Sequence, residues 1–334
     1  MKKLLLLFVA IAFVSCSEEN LFSIENAEKS NARLSTTTES LSVMSYNVYQ
    51  LPSILPQYKS KERASELFKY ITNLGENTPD VLVIEEGFNV RFGDEFLAKI
   101  KITYPYATPL LGLYCNSKGG TALYPNNWDG YYGNCGNTLF NVNGGIMILS
   151  KYPILKKYQW IFQSQINSAE GLSNRGVAYA VIEKNNKKYH IFGTHTASEQ
   201  PNYPGRATRE KQFTEIRNFK NSFNIPSSEA VIYAGDMNVE YTLSEEYMKM
   251  KTLLNGTNNY FFNPLQERGT YSNQNTVVQY QGFKGYNDTL DYIFLANENK
   301  QPLTISPTQH FIAKYFGGDI SDHDPVYVKY AFQY

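Results

Sequence analysis

Cysteine and histidine are scarce in this chain, with three and four respectively in 334 residues. No Cys-x-x-Cys pair or Cys/His cluster occurs, which excludes a zinc-built scaffold. Excess charge of one sign is also missing, because 31 Lys+Arg balance 31 Asp+Glu. No global positive field therefore draws the chain onto nucleic acid. Apolar runs are short: Leu4 to Val14 is uninterrupted, but a membrane-spanning helix takes about 20 residues. Gly at 22 and Pro at 14 are ordinary and exclude collagen-like and Pro-rich classes. Internal repeats, a Gly-x-Ser-x-Gly elbow, a Walker loop and a dinucleotide fingerprint are all lacking. Against these absences stand 42% hydrophobic and 15% aromatic residues, enough to bury a substantial core and to exclude wholesale disorder. The 27 Tyr and 20 Phe suit strands or a binding face that is part polar, part apolar.

The first residues read as an address. Met1-Lys2-Lys3, a short apolar stretch and a small residue before a cut form a secretion signal. Phe13-Val14-Ser15-Cys16 resembles the lipobox of bacterial lipoproteins, with Phe13 where Leu is usual. Ser17-Glu18-Glu19 resembles the acidic tag that sends some Bacteroidetes lipoproteins to the cell surface. The expected organisation is a signal peptide over 1–15, lipidated Cys16 with a flexible tether over 16–40, and a catalytic domain over 41–334. This predicts an exported lipoprotein of the outer membrane or cell surface. A plain signal peptide with an incidental Cys16 is the simpler alternative. Loss of Lys2 and Lys3 leaves 29 basic against 31 acidic residues, a charge of −2. Cys115 and Cys135 remain as an even pair in a chain bound for an oxidising compartment. A disulfide between them would stabilise by roughly 3 kcal/mol; two unpaired thiols are the alternative.

Beyond residue 41, short β-rich runs end in polar residues: Ser42–Val48, Val81–Ile84, Gly145–Leu149, Val177–Ile182, Tyr189–Gly193, Val231–Ala234, Leu290–Leu295 and Val326–Tyr330. Apolar stripes predict helices over Lys59–Leu74 and Arg206–Phe223. Lys184-Asn185-Asn186-Lys187 reads as a hairpin turn. The expected architecture is two packed sheets with helices outside. Gly112–Asn143 lacks periodicity and holds both Cys115 and Cys135; a loop of that length is functional or stapled.

The chemistry gathers at strand ends: Ser45-Tyr46-Asn47, Ile84-Glu85-Glu86, Thr194-His195-Thr196, Asp236-Met237-Asn238 and Ser321-Asp322-His323-Asp324. Each alone has a bland reading, as an Asx turn, a solvated strand end or a hydrogen-bonded His. As a set on one sheet edge they suit phosphate ester hydrolysis. Glu86 and Asn47 offer oxygen ligands to a hard divalent cation. Asn238 can donate to a phosphoryl oxygen, and a His oriented by a carboxylate, for which Asp291 is a candidate, can take a proton from water.

In order, Ser45-Tyr46-Asn47, Glu86-Gly87-Phe88, Gly144-Gly145-Ile146 with Ser150-Lys151-Tyr152-Pro153, Gly193-Thr194-His195-Thr196, Gly235-Asp236-Met237-Asn238, Leu290-Asp291-Tyr292-Ile293 and Ser321-Asp322-His323 resemble the endonuclease/exonuclease/phosphatase superfamily. Ser173-Asn174-Arg175-Gly176, Gln212-Phe213-Thr214-Glu215-Ile216-Arg217 and Thr270-Tyr271-Ser272 resemble its bacterial neutral sphingomyelinase branch, with Arg175 in place of Lys. The resemblance implies an α+β fold, a four-layered α/β/β/α sandwich of two mostly antiparallel sheets with outer helices. It also implies Mg²⁺-dependent cleavage of sphingomyelin to ceramide and phosphocholine. The charge of −2 argues against a nucleic-acid partner, and a monomer is expected because nothing in the sequence suggests a symmetric interface. Glu86 would hold the metal beside Asn47, with Asp322 in support. His323 would be the base, oriented by Asp291. Asp236 and Asn238 would position nucleophile and phosphate, and His195 would stabilise or protonate the leaving side. Asn174, Asn238 and His195 would meet substrate.

Three departures stand out. The interval from Asp291 to Ser321 is too short for the long membrane-entering hairpin of the secreted toxins. Gly87 replaces the usual Val or Ala after Glu86, and Cys115 and Cys135 fall away from the branch's disulfide. Ceramide phosphoethanolamine or another phospholipid as substrate, a nuclease of the superfamily, a soluble phosphatase and a non-catalytic surface lipoprotein are the alternatives.

Overall fold

The β-rich runs pair into two sheets, joined at one edge by a hydrogen bond from Asn47 to Asp236. The computed structural model describes residues 37–334, apart from 119–125, 137–140, 201 and 203. The signal segment, Cys16 and nearly all of the tether lie outside the described residues, as does part of the Gly112–Asn143 loop. Glu39–Phe332 forms one unit; the other, Met1–Thr38 with Gln333–Tyr334, is described only at Thr37, Thr38 and its two C-terminal residues. The first strand, Thr38–Gln50, starts inside the stretch assigned to the tether. Its first residues are polar because that end of the strand is not buried, so composition alone reads them as linker.

One sheet runs in the order Thr304–Ile305, Val326–Gln333, Thr38–Gln50, Val81–Gly87, Met147–Ser150, Tyr106–Ala107, with Gln309–His310 also on the Val326–Gln333 strand. The other runs Gly256–Thr257, Asp291–Ala296, Ala230–Asp236, Lys187–His195, Gly176–Lys184, Ile154–Ile161, Gly130–Gly133. Each sheet is mixed. Thr38–Gln50 is parallel to Val81–Gly87, and Lys187–His195 is parallel to Ala230–Asp236. The predicted hairpin forms at Asn185 and Asn186, both with positive φ (51° and 60°), where Asn is among the few side chains that sit comfortably.

Helices cover both outer faces. Ser60–Thr72 and Val90–Ile100 bury Leu67, Ile71, Phe96, Leu97 and Ile100 against the first sheet. Arg206–Asn221 and Ser244–Leu254 bury Phe213, Ile216, Phe219, Met250 and Leu254 against the second. The result is the α/β/β/α sandwich that the resemblance implied. Val90–Ile100 was not foreseen from the sequence, since Gly93 and Asp94 interrupt its apolar spacing. What starts it is Asn89, whose side chain accepts the Phe92 amide as an N-cap.

Cys115 and Cys135 are bonded, with Cα atoms 5.5 Å apart. Between the sheets, Gly193 sits where a Cβ would come 2.8 Å from Val83 and 3.3 Å from Ile148. Both neighbours are fully buried strand residues, so neither can move aside cheaply. Gly193→Val should destabilise the domain by about 1–3 kcal/mol through overpacking. A urea titration checks this, and an unchanged midpoint would mean that the sheets separate without cost.

Candidate active site

Strand register brings the polar strand ends together. His195 lies opposite Asp236 on the parallel pair, and Asp236 lies opposite Asp291 on the antiparallel one. An imidazole and two carboxylates thus stand in a row at one edge of the second sheet. The first sheet contributes Asn47, whose Nδ2 donates across to Asp236 Oδ2 at 3.0 Å. Ser321 Oγ donates to the Asn47 carbonyl at 2.6 Å and so ties the Ser321–His323 turn to that strand.

His323 is held on its Nδ1 side by Asp291 Oδ2 at 2.8 Å, and its Nε2 lies 3.7 Å from Asp236 Oδ2. His195 Nε2 is 3.3 Å from the same carboxylate oxygen. Asp236 also accepts the Asn238 amide at 2.9 Å, while Asn238 Nδ2 donates to the Thr196 carbonyl at 3.0 Å. Asn238 takes a positive φ of 49° and Glu86 one of 55°. For a residue other than Gly or Asn that conformation costs about 1–2 kcal/mol, so the packing around Glu86 must hold it. Gly145 allows the close approach that holds it: the Gly87 amide donates to the Gly145 carbonyl at 2.8 Å, and a Cβ at Gly145 would lie 3.2 Å from Glu86 Cα and 3.0 Å from the Phe88 ring.

The site has more buried negative charge than its cations neutralise. Burial, and after it the neighbouring Asp322, pushes the Glu86 carboxyl up to about 8. Burial likewise raises Asp236 to about 6, against the opposing pull of His323. Glu85, fully buried behind them, is raised well above the carboxylate range by desolvation, although Ser45 Oγ donates to it at 2.7 Å. The two histidines respond in opposite ways. Burial, then Arg175 and His323, hold His195 well below its ordinary value, hence neutral. Burial also works against His323⁺, but Asp291 and Asp236 outweigh it and raise that imidazole well above its ordinary value.

These residues fit a divalent cation. Buried Glu86 Oε2 and Asp291 Oδ1 have no hydrogen-bond partner among the described residues. Ligand atoms of Asp236, Asp291 and His323 lie within 4.8 Å of one another. Oxygen donors with unneutralised charge are what a hard cation requires. Asp322 is engaged through Ser321 Oγ (3.2 Å) and Gln281 Nε2 (2.8 Å), and Tyr271 Oη donates to Gln281 in turn.

Asn174 stands apart from this group. Its amide is spent on the loop, donating to the Gly112 carbonyl and accepting the Gly136 amide, each at 3.0 Å. Its neighbour Arg175 reaches the centre instead, donating to the Thr196 carbonyl at 2.5 Å while paired with Glu170 at 3.1 Å. The sequence reading also passed over Arg63 and Gln281, which sit on helices with no motif to mark them.

The residues 44–323 match the model of the Endonuclease/Exonuclease/phosphatase family. The chain belongs to that family. It is 32% identical over 324 residues to a sphingomyelinase C 2 of Leptospira interrogans, covering 92% of this chain and 49% of that one. Identity is also 32% over 317 residues to a phospholipase C of Staphylococcus aureus, covering 90% of each chain. The chain spans about half the length of the Leptospira relatives it matches. Among solved structures, beta toxin from Staphylococcus aureus, a double mutant with bound magnesium ions, superposes with a TM-score of 0.73 at 31% identity. That match covers 87% of this chain and 99% of the toxin chain. The matched span, residues 44–323, contains Asn47, Glu86, His195, Asp236, Asn238, Asp291, Asp322 and His323.

Arg63, fully buried, locks this arrangement from below. It donates to the carbonyls of Tyr58 (2.7 Å), Tyr49 (2.9 Å) and Ile320 (2.9 Å), and so joins the segments that carry Asn47 and Ser321. Arg63→Met keeps the apolar stem but strands those carbonyls. It should cost about 3 kcal/mol or more of stability, read from a chemical denaturation midpoint. A loss below about 1 kcal/mol would show that the carbonyls find other partners.

Proposed function

We propose that this chain is a metal-dependent phosphodiesterase that hydrolyses sphingomyelin to ceramide and phosphocholine. The observation that carries the reading is the His323–Asp291 pair, set against Asp236 and Asn238 beside the charge-rich Glu86. The names of its relatives support the same substrate class. Glu86 and Asn47 would hold the cation, with Asp322 in support, and magnesium is the ion proposed. Bound there, it would neutralise phosphoryl charge and lower the pKa of a coordinated water.

The protein groups divide the remaining work. Asp291 accepts from His323 Nδ1 and so fixes the tautomer that leaves Nε2 as the proton acceptor. Water then forms the new bond to phosphorus, His323 takes its proton, and the bond from phosphorus to the ceramide oxygen breaks, with that oxygen taking a proton from solvent so that ceramide leaves as the alcohol. Asn238 and Asp236 place the phosphate and the attacking oxygen. His195, kept neutral by its burial, is suited to hydrogen-bond the developing charge rather than to deliver a full proton from a charged state. Asn174 would act at one remove, by shaping the loop beside the substrate. The sequence Phe13-Val14-Ser15-Cys16 supports lipid attachment at Cys16 and a place on the outer membrane, which would keep the enzyme at a lipid surface. Among the described residues no helix is long and apolar enough to cross a membrane. We infer that the enzyme acts as a monomer.

Purified protein should release phosphocholine from sphingomyelin in mixed micelles, lose that activity with chelator, and regain it with Mg²⁺. His323→Ala should lower the rate by about 10²–10⁴-fold, the usual contribution of a positioned base. Plasmid DNA should stay intact under the same conditions. Cutting of DNA without lipid hydrolysis would move the substrate to nucleic acid and sink the reading.

A further inference from the structure

The Ser321–His323 turn, which carries the base and Asp322, is gripped at several points by the short helix Thr276–Gln281 and its flanks. At the start of that helix Asn275 Nδ2 donates to the Ser321 carbonyl at 2.8 Å, and Asp319 accepts the amide and the hydroxyl of Thr276 at 2.8 and 2.9 Å. At its end Gln281 Nε2 donates to Asp322 Oδ2 at 2.8 Å. Tyr271 completes the group: its ring centroid lies 5.0 Å from that of His323, and its hydroxyl donates to Gln281 Oε1 at 2.8 Å. Tyr49, two residues beyond Asn47, also hydrogen-bonds Gln281. One side chain thus meets the strand end that carries Asn47, the aromatic neighbour of the base, and the carboxylate proposed to support the cation.

Chemistry fixes the direction of these bonds. A carboxylate only accepts, so the amide must turn an N–H to Asp322 and its oxygen to Tyr271, and the phenol must donate. What Asp322 does not receive matters as much. Asp319 and Asp324, on either side of the turn, each meet the Arg268 guanidinium at 2.7 Å. Asp322 is buried like them, yet its side-chain partners among the described residues are the Gln281 amide and the Ser321 hydroxyl, and no Lys or Arg forms an ion pair with it. Arg63 feels its charge but spends its own N–H groups on backbone carbonyls. Neutral donors hold a carboxylate in place and leave its charge to act on its surroundings, whereas a guanidinium in contact holds it and cancels that charge. The field of Asp322 does reach the centre, since after burial it does most to raise the Glu86 carboxyl.

We propose that Gln281 is a positioning residue of the metal centre: oriented by Tyr271, it fixes the Asp322 carboxylate without neutralising it and so sets the affinity for the divalent cation. The inference rests on the metal-dependent reading above and adds a residue that acts through Asp322. A hard cation is held by oxygen donors that are both charged and fixed in place. Partners that orient such donors are worth about 10–100-fold in metal affinity. A neutral amide at this position keeps the charge and the fixed geometry together; an apolar side chain would lose the geometry, and a cationic one would lose the charge.

Calorimetric titration of the purified protein with Mg²⁺, beside a urea midpoint taken in chelator, separates positioning from plain structural support. Gln281→Met keeps the length of the side chain and removes the N–H; it should raise the Kd for Mg²⁺ about tenfold or more. Gln281→Lys keeps a donor to Asp322 and adds the missing charge. In chelator it should unfold at the same urea concentration as wild type or a higher one, while its Kd for Mg²⁺ rises at least as far as that of Gln281→Met. Tyr271→Phe keeps the ring against His323 and removes the hydroxyl. Combined with Gln281→Met, it should weaken Mg²⁺ binding no further than Gln281→Met alone, because the two residues act in one chain. The Mg²⁺ concentration needed for phosphocholine release should shift by the same factors. A Kd within about twofold of wild type in either Gln281 variant would overturn the positioning role and spare the phosphodiesterase. Additive losses in the double variant would overturn the link through Tyr271. Wild-type protein that binds no Mg²⁺ would overturn the metal-dependent reading as well.

Discussion

The hydrogen bond from Asn47 to Asp236 is the contact on which the active edge depends. It joins the first strand of one sheet to a central strand of the other across 189 residues of sequence. A carboxylate with 1% of its surface exposed is unstable unless donors surround it. Asp236 has them: the Asn47 side-chain amide and the Asn238 backbone amide, with the His195 imidazole 3.3 Å away. The sheets must therefore dock in one register, because a slip of one residue would turn the strand-end groups to the wrong face. Packing at Gly193 enforces the same register by shape.

Around this contact the fold spends two buried arginines, Arg63 and Arg268, on supports for the reacting edge and turns carboxylates towards it. Arg63 spends its donors on backbone carbonyls, so its charge supports loops. Arg268 is also buried and binds Asp319 and Asp324, each at 2.7 Å. Those two residues flank the Ser321–His323 turn. Asp324 thereby gains a cationic partner, whereas among the described residues no Lys or Arg forms an ion pair with Glu86 or Asp291. A structural ion pair and a cation-ready site can thus lie a few residues apart in one chain. What separates them is whether a guanidinium satisfies the carboxylate.

Much of this was legible in the sequence because it is local. A strand that ends in Asp-Met-Asn or Thr-His-Thr declares both its length and its chemistry within ten residues, and the strands found at Ala230–Asp236 and Lys187–His195 match those declarations. The hairpin at Asn185 and Asn186 was readable for the same reason. Long-range partners were not. Nothing near Arg63 shows that its carbonyl partners include Ile320, 257 residues away. Gln281 lies on a six-residue helix too short for periodicity to reveal. Asn174 was legible as part of a motif, but its job of pinning Gly112 to Gly136 depends on a loop path that sequence does not specify.

The two histidines show why residue type alone underdetermines mechanism. His195 and His323 both end up within 4 Å of Asp236. His323 faces a second carboxylate, Asp291, on its other nitrogen, whereas His195 Nδ1 is buried without a partner among the described residues. One imidazole can therefore accept a proton and have the resulting charge stabilised; the other pays the full desolvation cost of becoming charged. The assignment of base and hydrogen-bond donor follows from that asymmetry, and the asymmetry follows from strand register. Asp291 pairs with Asp236 on the antiparallel side, beneath the turn that carries His323, and no carboxylate is placed equivalently beneath His195 among the described residues.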